Sequence, residues 1–287
     1  MYIGRFAPTP SGRLHLGSIT TALGAYLRAQ SENGKIILRI EDLDTPRCKS
    51  ENTAMILEDL EVLGFRFSGD VVYQSRNLVH YQKILDRLYE EGLTYFCSCT
   101  RHDLKERACQ CFLNRQTPKD HASVRFLPKL SLDESFDDLL YGKIYVDKIS
   151  EHIVLKRSDN IFAYNFACVI DDIDEGVTEI VRGSDLIELT PIQNLLYKSF
   201  NCKIPHYVHL PLIEMTEGKK YSKQNHAQAA LSLGTPQQVL LKALKLLGQN
   251  TLSLNEKMKP EEILFYAQRG FDLKAIPKKS VIYNDLT

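Results

Sequence analysis

A short turn near the amino terminus carries the first chemistry that the sequence predicts. It contains His15, Gly17 and Ser18 within PTPSGRLHLGS, between a β-prone segment and a helical one. A glycine-containing turn from a strand into a helix presents backbone N–H groups and the positive end of the helix dipole to a phosphate. His15 can donate hydrogen bonds to phosphate oxygens, and Gly17 leaves room for a flat base. For this segment alone, a purely structural turn is the alternative.

A group of carboxylates follows a second β-prone run. The segment LRIEDLDTPR, residues 38–47, contains Glu41, Asp42 and Asp44. Ligands of open α/β sheets bind at the carboxyl ends of the strands. Carboxylates at that place suit an ammonium group, a ribose or a metal ion. The alternative is a charged loop in which these carboxylates pair with neighbouring arginines.

A basic loop lies much later in the chain. Its sequence, GKKYSKQNH at residues 218–226, contains Lys219, Lys220, Ser222 and Lys223. Three lysines so close together can neutralise a triphosphate. A solvated basic loop without a ligand is the alternative.

Four of the seven cysteines lie close together, as Cys97, Cys99, Cys109 and Cys111. Four thiolates can complete a tetrahedral zinc site, although Cys-x-Cys pairs are less usual ligands than Cys-x2-Cys pairs. Four reduced cysteines without a metal are the alternative. The isolated cysteines are interpreted as small hydrophobic residues: Cys48, Cys168 and Cys202.

Alternating strand and helix signals must position these residues. Residues 2–6 and 35–40 are predicted strands, and residues 19–30 are a predicted helix with Ser18 as N-cap. A strand, a helix and a strand within about 40 residues form a βαβ unit with parallel strands. Further helices are predicted over 51–63 and 78–91, each ending at a glycine.

The middle of the chain has a different character. Residues 94–128 hold the cysteines with little helical periodicity, and residues 131–157 alternate in short runs that are typical of antiparallel strands. Beyond them, the sequence predicts strands over 169–172 and 179–181, an apolar run over 207–213, and helices over 190–200, 237–247 and 261–268.

The predicted fold class is therefore α/β: a Rossmann-like parallel sheet with an inserted cysteine-containing subdomain and a small C-terminal helical piece. The sheet domain occupies 1–95 and 161–230, the insertion 96–160 and the helical segment 231–287.

The composition is that of a globular protein, with 287 residues, 44% hydrophobic and 25% charged. The formal net charge is zero, but residues 219–287 carry 11 Lys/Arg and 5 Asp/Glu, a net +6. A basic end can bind a polyanion, and an ordinary charge fluctuation is the alternative. No apolar run is long enough for a membrane span, and the amino terminus lacks the apolar region of a secretory signal. We therefore expect a cytoplasmic protein without a membrane partner.

Together, these segments resemble the class I aminoacyl-tRNA synthetases. HLGS at 15–18 is similar to their HIGH motif, and KYSKQ at 220–224 is similar to KMSKS, with Tyr221 in place of Met and Gln224 in place of the last Ser. The stretches RFAPTPSG, LRIEDLDTPR and VRGSDL narrow the resemblance to the glutamyl branch. These independent matches stand in the family's order along the chain.

The resemblance implies a reaction and a set of site residues. L-Glutamate and ATP, accompanied by Mg²⁺, would form glutamyl-adenylate, and the glutamyl group would then pass to an RNA hydroxyl. Arg5 and Arg182 would hold the substrate carboxylate through bidentate guanidinium contacts, and Glu41 would hold the ammonium group. The remaining glutamate-site residues would be Phe6, Ala7, Pro8, Thr9 and Tyr164. The ATP site would comprise His15, Gly17, Ser18, Lys220, Ser222 and Lys223, with His15 and Lys223 as the catalytic residues.

Two features favour the short paralogues of the glutamyl-tRNA synthetase catalytic core. About 60 residues follow the loop at Lys223, which is too few for the anticodon-binding region of a full-length enzyme, and Cys168 stands where full-length glutamyl enzymes typically carry Asn. The implied acceptor is queuosine at position 34 of tRNA(Asp), and we expect a monomer. A truncated glutamyl-tRNA synthetase that charges a tRNA 3′ end and a non-catalytic RNA-binding paralogue are the alternatives.

The resemblance also bears on the metal. The family has a zinc site that begins with Cys-x-Cys, but its later ligands are a Tyr and a Cys after a longer spacer. Cys97 and Cys99 match that start, whereas Cys109 and Cys111 depart from the pattern.

Overall fold

The computed structural model describes residues 1–100, 102–106, 109–114, 121–146, 153–216, 219–220 and 228–283. The strands are β1 (Ile3–Phe6), β2 (Lys35–Ile40), β3 (Val72–Tyr73), β4 (Thr94–Cys97), β5 (Ser123–Phe126), β6 (Ser135–Asp138), β7 (Gly142–Tyr145), β8 (Val154–Lys156), β9 (Glu179–Gly183), β10 (His206–Leu210), β11 (Ile213–Thr216), β12 (Lys219–Lys220) and β13 (Val281–Ile282). The helices are α1 (Leu16–Ser31), α2 (Ser50–Val62), α3 (Leu78–Glu90), α4 (Asp103–Glu106), α5 (Tyr164–Asp174), α6 (Thr190–Ser199), α7 (Pro236–Leu246) and α8 (Pro260–Arg269).

Parallel strands form the centre of the protein. β1 pairs in parallel with β2, and β2 with β3, which confirms the predicted βαβ unit. β10 pairs in parallel with both β9 and β6. The two groups lie side by side, because the N–H of Thr178 donates to the carbonyl of Ile3 at 2.8 Å. The carboxyl ends of these strands therefore face one common edge.

Helix α1 covers this sheet with a largely apolar surface. Gly24 permits close packing, because a Cβ atom at this position would lie 2.6 Å from Cδ1 of Leu210 on β10. The prediction that Ser18 is the N-cap of this helix is wrong. His15 caps the helix instead, since its Nδ1 accepts the N–H of Ser18 at 3.1 Å. The helix thus starts nearer to the phosphate-binding turn than the sequence predicted.

Two of the predicted strands need correction. Residues 169–172 belong to helix α5, because apolar residues recur through YNFACVIDDID with helical spacing. The described strands within residues 131–157 do form antiparallel pairs, but the pairs lie in different sheets. β6 and β7 form a hairpin that joins the central sheet, whereas β8 pairs with β5 beside β4. The division of the chain into sheet domain, insertion and helical segment stays a prediction.

The C-terminal helices α7 and α8 pack their apolar faces into the same core as α1 and β2. A second buried core lies under α3, α5 and α6. Helix α7 begins with a capping box between Thr235 and Gln238. In the described part of the chain, no helix is long and apolar enough to cross a membrane.

Candidate active site

Four buried side chains lie near the carboxyl ends of the central strands. Arg5 lies on β1, Glu41 follows β2, Arg182 lies on β9 and His209 lies on β10. The backbone N–H of Glu41 also donates to the carbonyl of Pro8 at 3.1 Å, which joins the end of β2 to the loop after β1. The fold therefore brings together three residues that the sequence predicted for the glutamate site. It adds His209, which the sequence did not predict.

Arg5 is held by an acidic partner from helix α5. Its Nε donates to Oδ1 of Asp172 at 3.1 Å, and its Nη2 lies 3.9 Å from Sγ of Cys168. Burial is the largest influence and opposes the charged form, but Asp172, together with smaller contributions from Cys168 and Tyr164, raises the pKa of Arg5. Among the described residues, Nη1 of Arg5 has no hydrogen-bond partner and is available to a substrate carboxylate.

Arg39 is the most enclosed cation of the site, with 0% of its surface exposed. Its Nη2 donates to the same Asp172 oxygen at 2.7 Å, and its Nη1 donates to Oε2 of Glu175 at 2.7 Å. Although burial raises the pKa of Asp172, the two guanidinium groups outweigh it and lower that pKa. Sequence reasoning considered Arg39 only as a partner for loop carboxylates and left Asp172 out of the site.

These groups form what we name the buried charge cluster: Arg5, Arg39, Glu41, Asp171, Asp172 and Glu175. It contains two guanidinium groups and four carboxyl groups. Neutral donors satisfy Asp171, including Tyr81 Oη and Gln74 Nε2, both at 2.7 Å. The excess of carboxyl groups makes an additional cation favourable here.

Glu41 is the member of the cluster best suited to a substrate cation. Only 8% of the residue is exposed, and its Oε1 has no hydrogen-bond partner among the described residues. Burial raises its pKa to about 7, because the attraction of Arg39 and Arg5 offsets only part of the desolvation. An ammonium group would supply both the missing hydrogen bond and the missing charge.

Arg182 contrasts with Arg5 because its partners are uncharged. Its Nε donates to Nε2 of His209 at 3.0 Å, its Nη1 donates to Oε1 of Gln193 at 2.6 Å, and its Nη2 donates to Thr190 Oγ1 at 2.8 Å. The Leu186 carbonyl accepts a longer bond of 3.3 Å from Nη2. These contacts use four of the five N–H groups, and no carboxylate contacts the guanidinium in the described part of the chain. The charge of Arg182 is thus left for a ligand, although two bonds to one carboxylate would require an exchange of partners.

Tyr164 begins helix α5 beside these groups. Burial raises the pKa of its phenol, and Glu41 raises it further, whereas Arg182 and Arg5 lower it. All three charges therefore act on this one side chain. Of the other residues predicted for the glutamate site, Phe6 and Pro8 are buried, Ala7 is half-buried and Thr9 is exposed.

The predicted phosphate-binding turn lines a cavity of about 130 Å³. His15, Gly17 and Ser18 contribute one side of it, and Gly183 and Leu212 contribute another. Nε2 of His15 lies 3.1 Å from Oγ of Ser18. The cavity joins the amino end of α1 to the ends of β9 and β10, an arrangement that suits phosphate.

Of the basic loop, the structure describes only the backbone of Lys219 and Lys220. The side chain of Lys220, together with Ser222 and Lys223, lies outside the described residues. Before the loop, β12 pairs with β11. After it, Ala229 forms a bridge to His15, and the N–H of Ala230 donates to the carbonyl of Leu14 at 2.8 Å. The chain therefore returns from the loop directly onto the phosphate-binding turn.

His209 and His206 lie on the same strand but differ in exposure. His209 is 0% exposed, whereas His206 is exposed. The hairpin of β6 and β7 buries His209, since Asp138 at the end of β6 accepts from its Nδ1 at 2.8 Å. This contact spans 71 residues of sequence, so no local pattern could have indicated it.

The four clustered cysteines come together between β4 and the following segment. All four Sγ atoms lie within 4.8 Å of one another, with separations of 3.6 Å for Cys97–Cys109 and 3.7 Å for Cys99–Cys111. Sulfurs bound tetrahedrally at about 2.3 Å from zinc would be about 3.8 Å apart, whereas a disulfide requires about 2.05 Å. The arrangement therefore fits a four-thiolate metal site. Burial raises the pKa of Cys97 to about 12, so a metal would have to displace its proton.

Comparison with known proteins defines the class. The family model described as tRNA synthetases class I (E and Q), catalytic domain, matches residues 3–112 and 109–280. A glutamate tRNA ligase from Elizabethkingia meningosepticum has the same fold, with a TM-score of 0.78, 24% identity, and coverage of 98% of this chain and 67% of that one. Glutamate-tRNA synthetase from Elizabethkingia anophelis gives a TM-score of 0.76 at 25% identity, over 98% of this chain and 68% of that one. The fold is that of a class I tRNA synthetase catalytic domain, which confirms the predicted fold class.

Sequence relatives narrow the family. Glutamyl-Q tRNA(Asp) synthetase of Pectobacterium atrosepticum is 43% identical over 286 residues, which cover 98% of this chain and 88% of that protein. The protein of the same name from Escherichia coli strain K12 is 42% identical over 287 residues, which cover 98% and 92%. The chain belongs to the glutamyl-Q tRNA(Asp) synthetase family. The family resemblance drawn from its motifs is confirmed.

Proposed function

We propose that this protein activates L-glutamate with ATP and transfers the glutamyl group to queuosine at position 34 of tRNA(Asp). One observation carries the proposal. At the same edge of the sheet lie a Glu41 carboxylate oxygen without a hydrogen-bond partner among the described residues and an Arg182 guanidinium whose described partners are all neutral. The names of the sequence relatives support the acceptor.

The charges of this pocket complement those of glutamate. Glu41 binds the ammonium group of the substrate, and the guanidinium groups of Arg5 and Arg182 bind substrate carboxylate. The phenol of Tyr164 adds a hydrogen bond to the substrate. Glutamine would leave the charge of Arg182 uncompensated in a buried place, and a buried unpaired charge is costly. The pocket is therefore selective for the charged side chain.

The activation step needs little proton transfer. A carboxylate oxygen of glutamate attacks the α-phosphorus of ATP, the bond from that phosphorus to the bridging oxygen breaks, and pyrophosphate leaves. Because the nucleophile is already an anion, catalysis consists of positioning and charge neutralisation. His15, Gly17 and Ser18 receive phosphate at the start of α1. By the resemblance to KMSKS, Lys220, Ser222 and Lys223 would neutralise the phosphates. Mg²⁺ accompanies the ATP with few protein ligands.

Zinc has a structural role in this proposal. Cys97, Cys99, Cys109 and Cys111 would hold the ion, whose bonds would fix the segment after β4. We further propose that the protein acts in the cytoplasm as a monomer.

The test measures the two half-reactions separately. ATP–pyrophosphate exchange should require L-glutamate and should not occur with L-glutamine or L-aspartate. Labelled glutamate should then attach to tRNA(Asp) from queuosine-containing cells and not to tRNA(Asp) from queuosine-deficient cells. Exchange with glutamine instead of glutamate would refute the substrate assignment.

Glutamylation of a tRNA 3′ end is the second candidate, favoured by the structural similarity to glutamate tRNA ligases. An anticodon stem-loop fragment that carries queuosine has no CCA end, so only the proposed acceptor remains. Glutamylation of this fragment supports transfer to queuosine. Labelling of queuosine-free tRNA(Glu), with no labelling of the fragment, would establish the second candidate.

A further inference from the structure

A chain of three buried side chains runs from the glutamate pocket to the β6–β7 hairpin. Arg182 Nε donates to Nε2 of His209 at 3.0 Å, and Nδ1 of His209 lies 2.8 Å from Oδ2 of Asp138. His209 and Arg182 are neighbours in the register of β10 and β9. The three side chains are at most 3% exposed.

The donors fix the tautomer of His209. A guanidinium N–H can only donate, so Nε2 of His209 must accept and must lack a proton. The proton of the neutral ring therefore lies on Nδ1, where it is donated to Asp138. A doubly protonated ring would direct an N–H against the N–H of Arg182.

Both oxygens of Asp138 act as hydrogen-bond acceptors. Its Oδ2 also accepts the backbone N–H of His209 at 3.0 Å, and its Oδ1 accepts the N–H groups of Leu140 and Tyr141 at 2.9 Å each. With the ring N–H, four donors surround one carboxylate. A carboxylate that accepts at this position holds the ring in the Nδ1–H tautomer.

The surroundings of His209 favour the neutral ring. The charged groups that act on it are Asp138 on β6, Arg182 on β9 and Arg5 on β1. Burial lowers the pKa of His209, and the two arginines lower it further, whereas Asp138 raises it. Its other contacts among the described residues are with uncharged groups: Thr190 Oγ1 at 3.4 Å and the rings of Phe136 and Tyr207, each with its centroid 5.7 Å away.

We propose that His209 and Asp138 are positioning residues that hold Arg182 in the orientation in which it receives the substrate carboxylate. The inference rests on the proposed role of Arg182. Asp138 ends the first strand of the β6–β7 hairpin, whose residues the sequence predicted to lie in the insertion. The His209 ring thus connects the hairpin residue Asp138 with Arg182 in the proposed glutamate pocket.

Two amide variants separate the two hydrogen bonds of the ring. The carboxamide of His209→Gln reaches the position of Nε2, so its oxygen can still accept from Arg182. The carboxamide of His209→Asn reaches only the position of Nδ1, so it can donate to Asp138 but leaves Nε of Arg182 without its acceptor. We expect His209→Asn to raise the glutamate KM in pyrophosphate exchange at least tenfold and His209→Gln to remain within about threefold of wild type. The ATP KM should stay within about twofold in both.

His206→Asn is the matched control, because His206 lies on the same strand with an exposed side chain. It should leave the glutamate KM unchanged. Urea unfolding of all three variants reports whether a KM effect follows a loss of folded protein. Equal glutamate KM values for wild type and His209→Asn would overturn the positioning role.

Nitrogen-15 NMR of the histidine rings tests the chain without substrate. His209 should appear as the Nδ1–H tautomer and should stay so from pH 5.5 to pH 8. In Asp138→Asn, an amide N–H replaces one of two acceptors that each receive two donors, so the ring loses its fixed orientation and the glutamate KM should rise as in His209→Asn. An Nε2–H or protonated ring in the wild type refutes the inference. Failure of wild-type exchange with glutamate, with the tautomer as expected, instead refutes the proposed function.

Discussion

Nε of Arg39 lies 4.0 Å from Oε1 of Glu41, and neither of these buried atoms has a hydrogen-bond partner in the described part of the chain. The two groups attract each other, but the guanidinium does not occupy the carboxylate oxygen. Arg39 directs its hydrogen bonds to Asp172 and Glu175 instead. Glu41 therefore keeps one acceptor for a substrate ammonium group while a nearby positive charge supports its ionised form.

The pKa of Glu41, about 7, predicts how glutamate binding depends on pH. Only the ionised carboxylate attracts the ammonium group, so the glutamate KM should fall as the pH rises from 6 to 8. For a pKa of 7 the ionised fraction grows about tenfold over this range. Pyrophosphate exchange at several pH values measures the effect. Glu41→Gln should have a high KM that no longer depends on pH, whereas Glu175→Gln should retain the wild-type dependence. A pH-independent KM in the wild type would contradict the assignment.

The same pKa predicts an effect on folding. Because the pKa of Glu41 in the folded protein lies above its ordinary value of 4.5, ionisation of this group destabilises the fold. The stability that the folded protein has with Glu41 protonated is fully present below pH 4.5 and is lost as the pH rises through 7. At pH 8, Glu41→Gln should therefore unfold at a higher urea concentration than wild type. Its free energy of unfolding should be larger by up to about 3 kcal/mol. The difference should disappear near pH 4.5, and a less stable variant at pH 8 would contradict it.

Arg39 compensates the carboxylates of the buried charge cluster. Arg39→Met should lower the free energy of unfolding by about 3–5 kcal/mol at pH 8, the usual cost of removing one partner from a buried ion pair. Since protonation relieves uncompensated carboxylates, the loss should shrink towards pH 5. Adding Glu175→Gln removes one carboxylate and should recover part of the loss. Arg47→Met is the control, because Arg47 is 77% exposed and its contact with Asp44 is long, at 3.9 Å. Equal losses for Arg39→Met and Arg47→Met would show that the cluster does not depend on Arg39.

The cysteine cluster predicts a metal content. Protein purified without chelators should contain about one zinc ion per chain. Cys97→Ser combined with Cys99→Ser should release it and lower the melting temperature, because metal binding contributes to folding. Cys202→Ser should retain the metal, since this cysteine lies outside the cluster. Elemental analysis decides the matter, and less than about a tenth of an equivalent in the wild type would favour four reduced thiols.

For the basic loop we expect a substitution to lower the rate of glutamate activation without changing the glutamate KM. Lys223→Ala should lower the rate of glutamate activation by about two to three decades, because it removes a charge that stabilises the phosphates in the transition state. The glutamate KM should change little. Lys219→Ala, whose residue lies on β12 before the motif, should have a smaller effect on the rate. Equal rates for Lys223→Ala and wild type would remove Lys223 from the catalytic residues.

The sequence predicted those parts of the site that depend on neighbouring residues. The βαβ unit, with Arg5 at the end of one strand and Glu41 at the end of the next, follows from local strand and helix signals. The partners of these residues do not, because Arg5 and Asp172 are 167 residues apart. The misassigned strand over 169–172 also concealed Asp172, since a short buried run has the same pattern in a strand and in a helix. His209 could not be assigned because a hairpin from another part of the sequence supplies its partner.

Arg5 and Arg182, the two arginines proposed to bind the substrate, should behave differently on removal, because only Arg5 belongs to an ion pair. Arg182 has neutral partners, so Arg182→Ala should raise the glutamate KM by at least tenfold without leaving a carboxylate unpaired. Arg5 shares Asp172 with Arg39, so Arg5→Ala should raise the glutamate KM and also weaken folding, as the carboxylate loses one of its two cations. Exchange kinetics and urea unfolding on the same preparations measure both effects. An unchanged glutamate KM in both variants would refute the carboxylate assignment, and equal losses of stability would refute the distinction between a paired and an unpaired arginine.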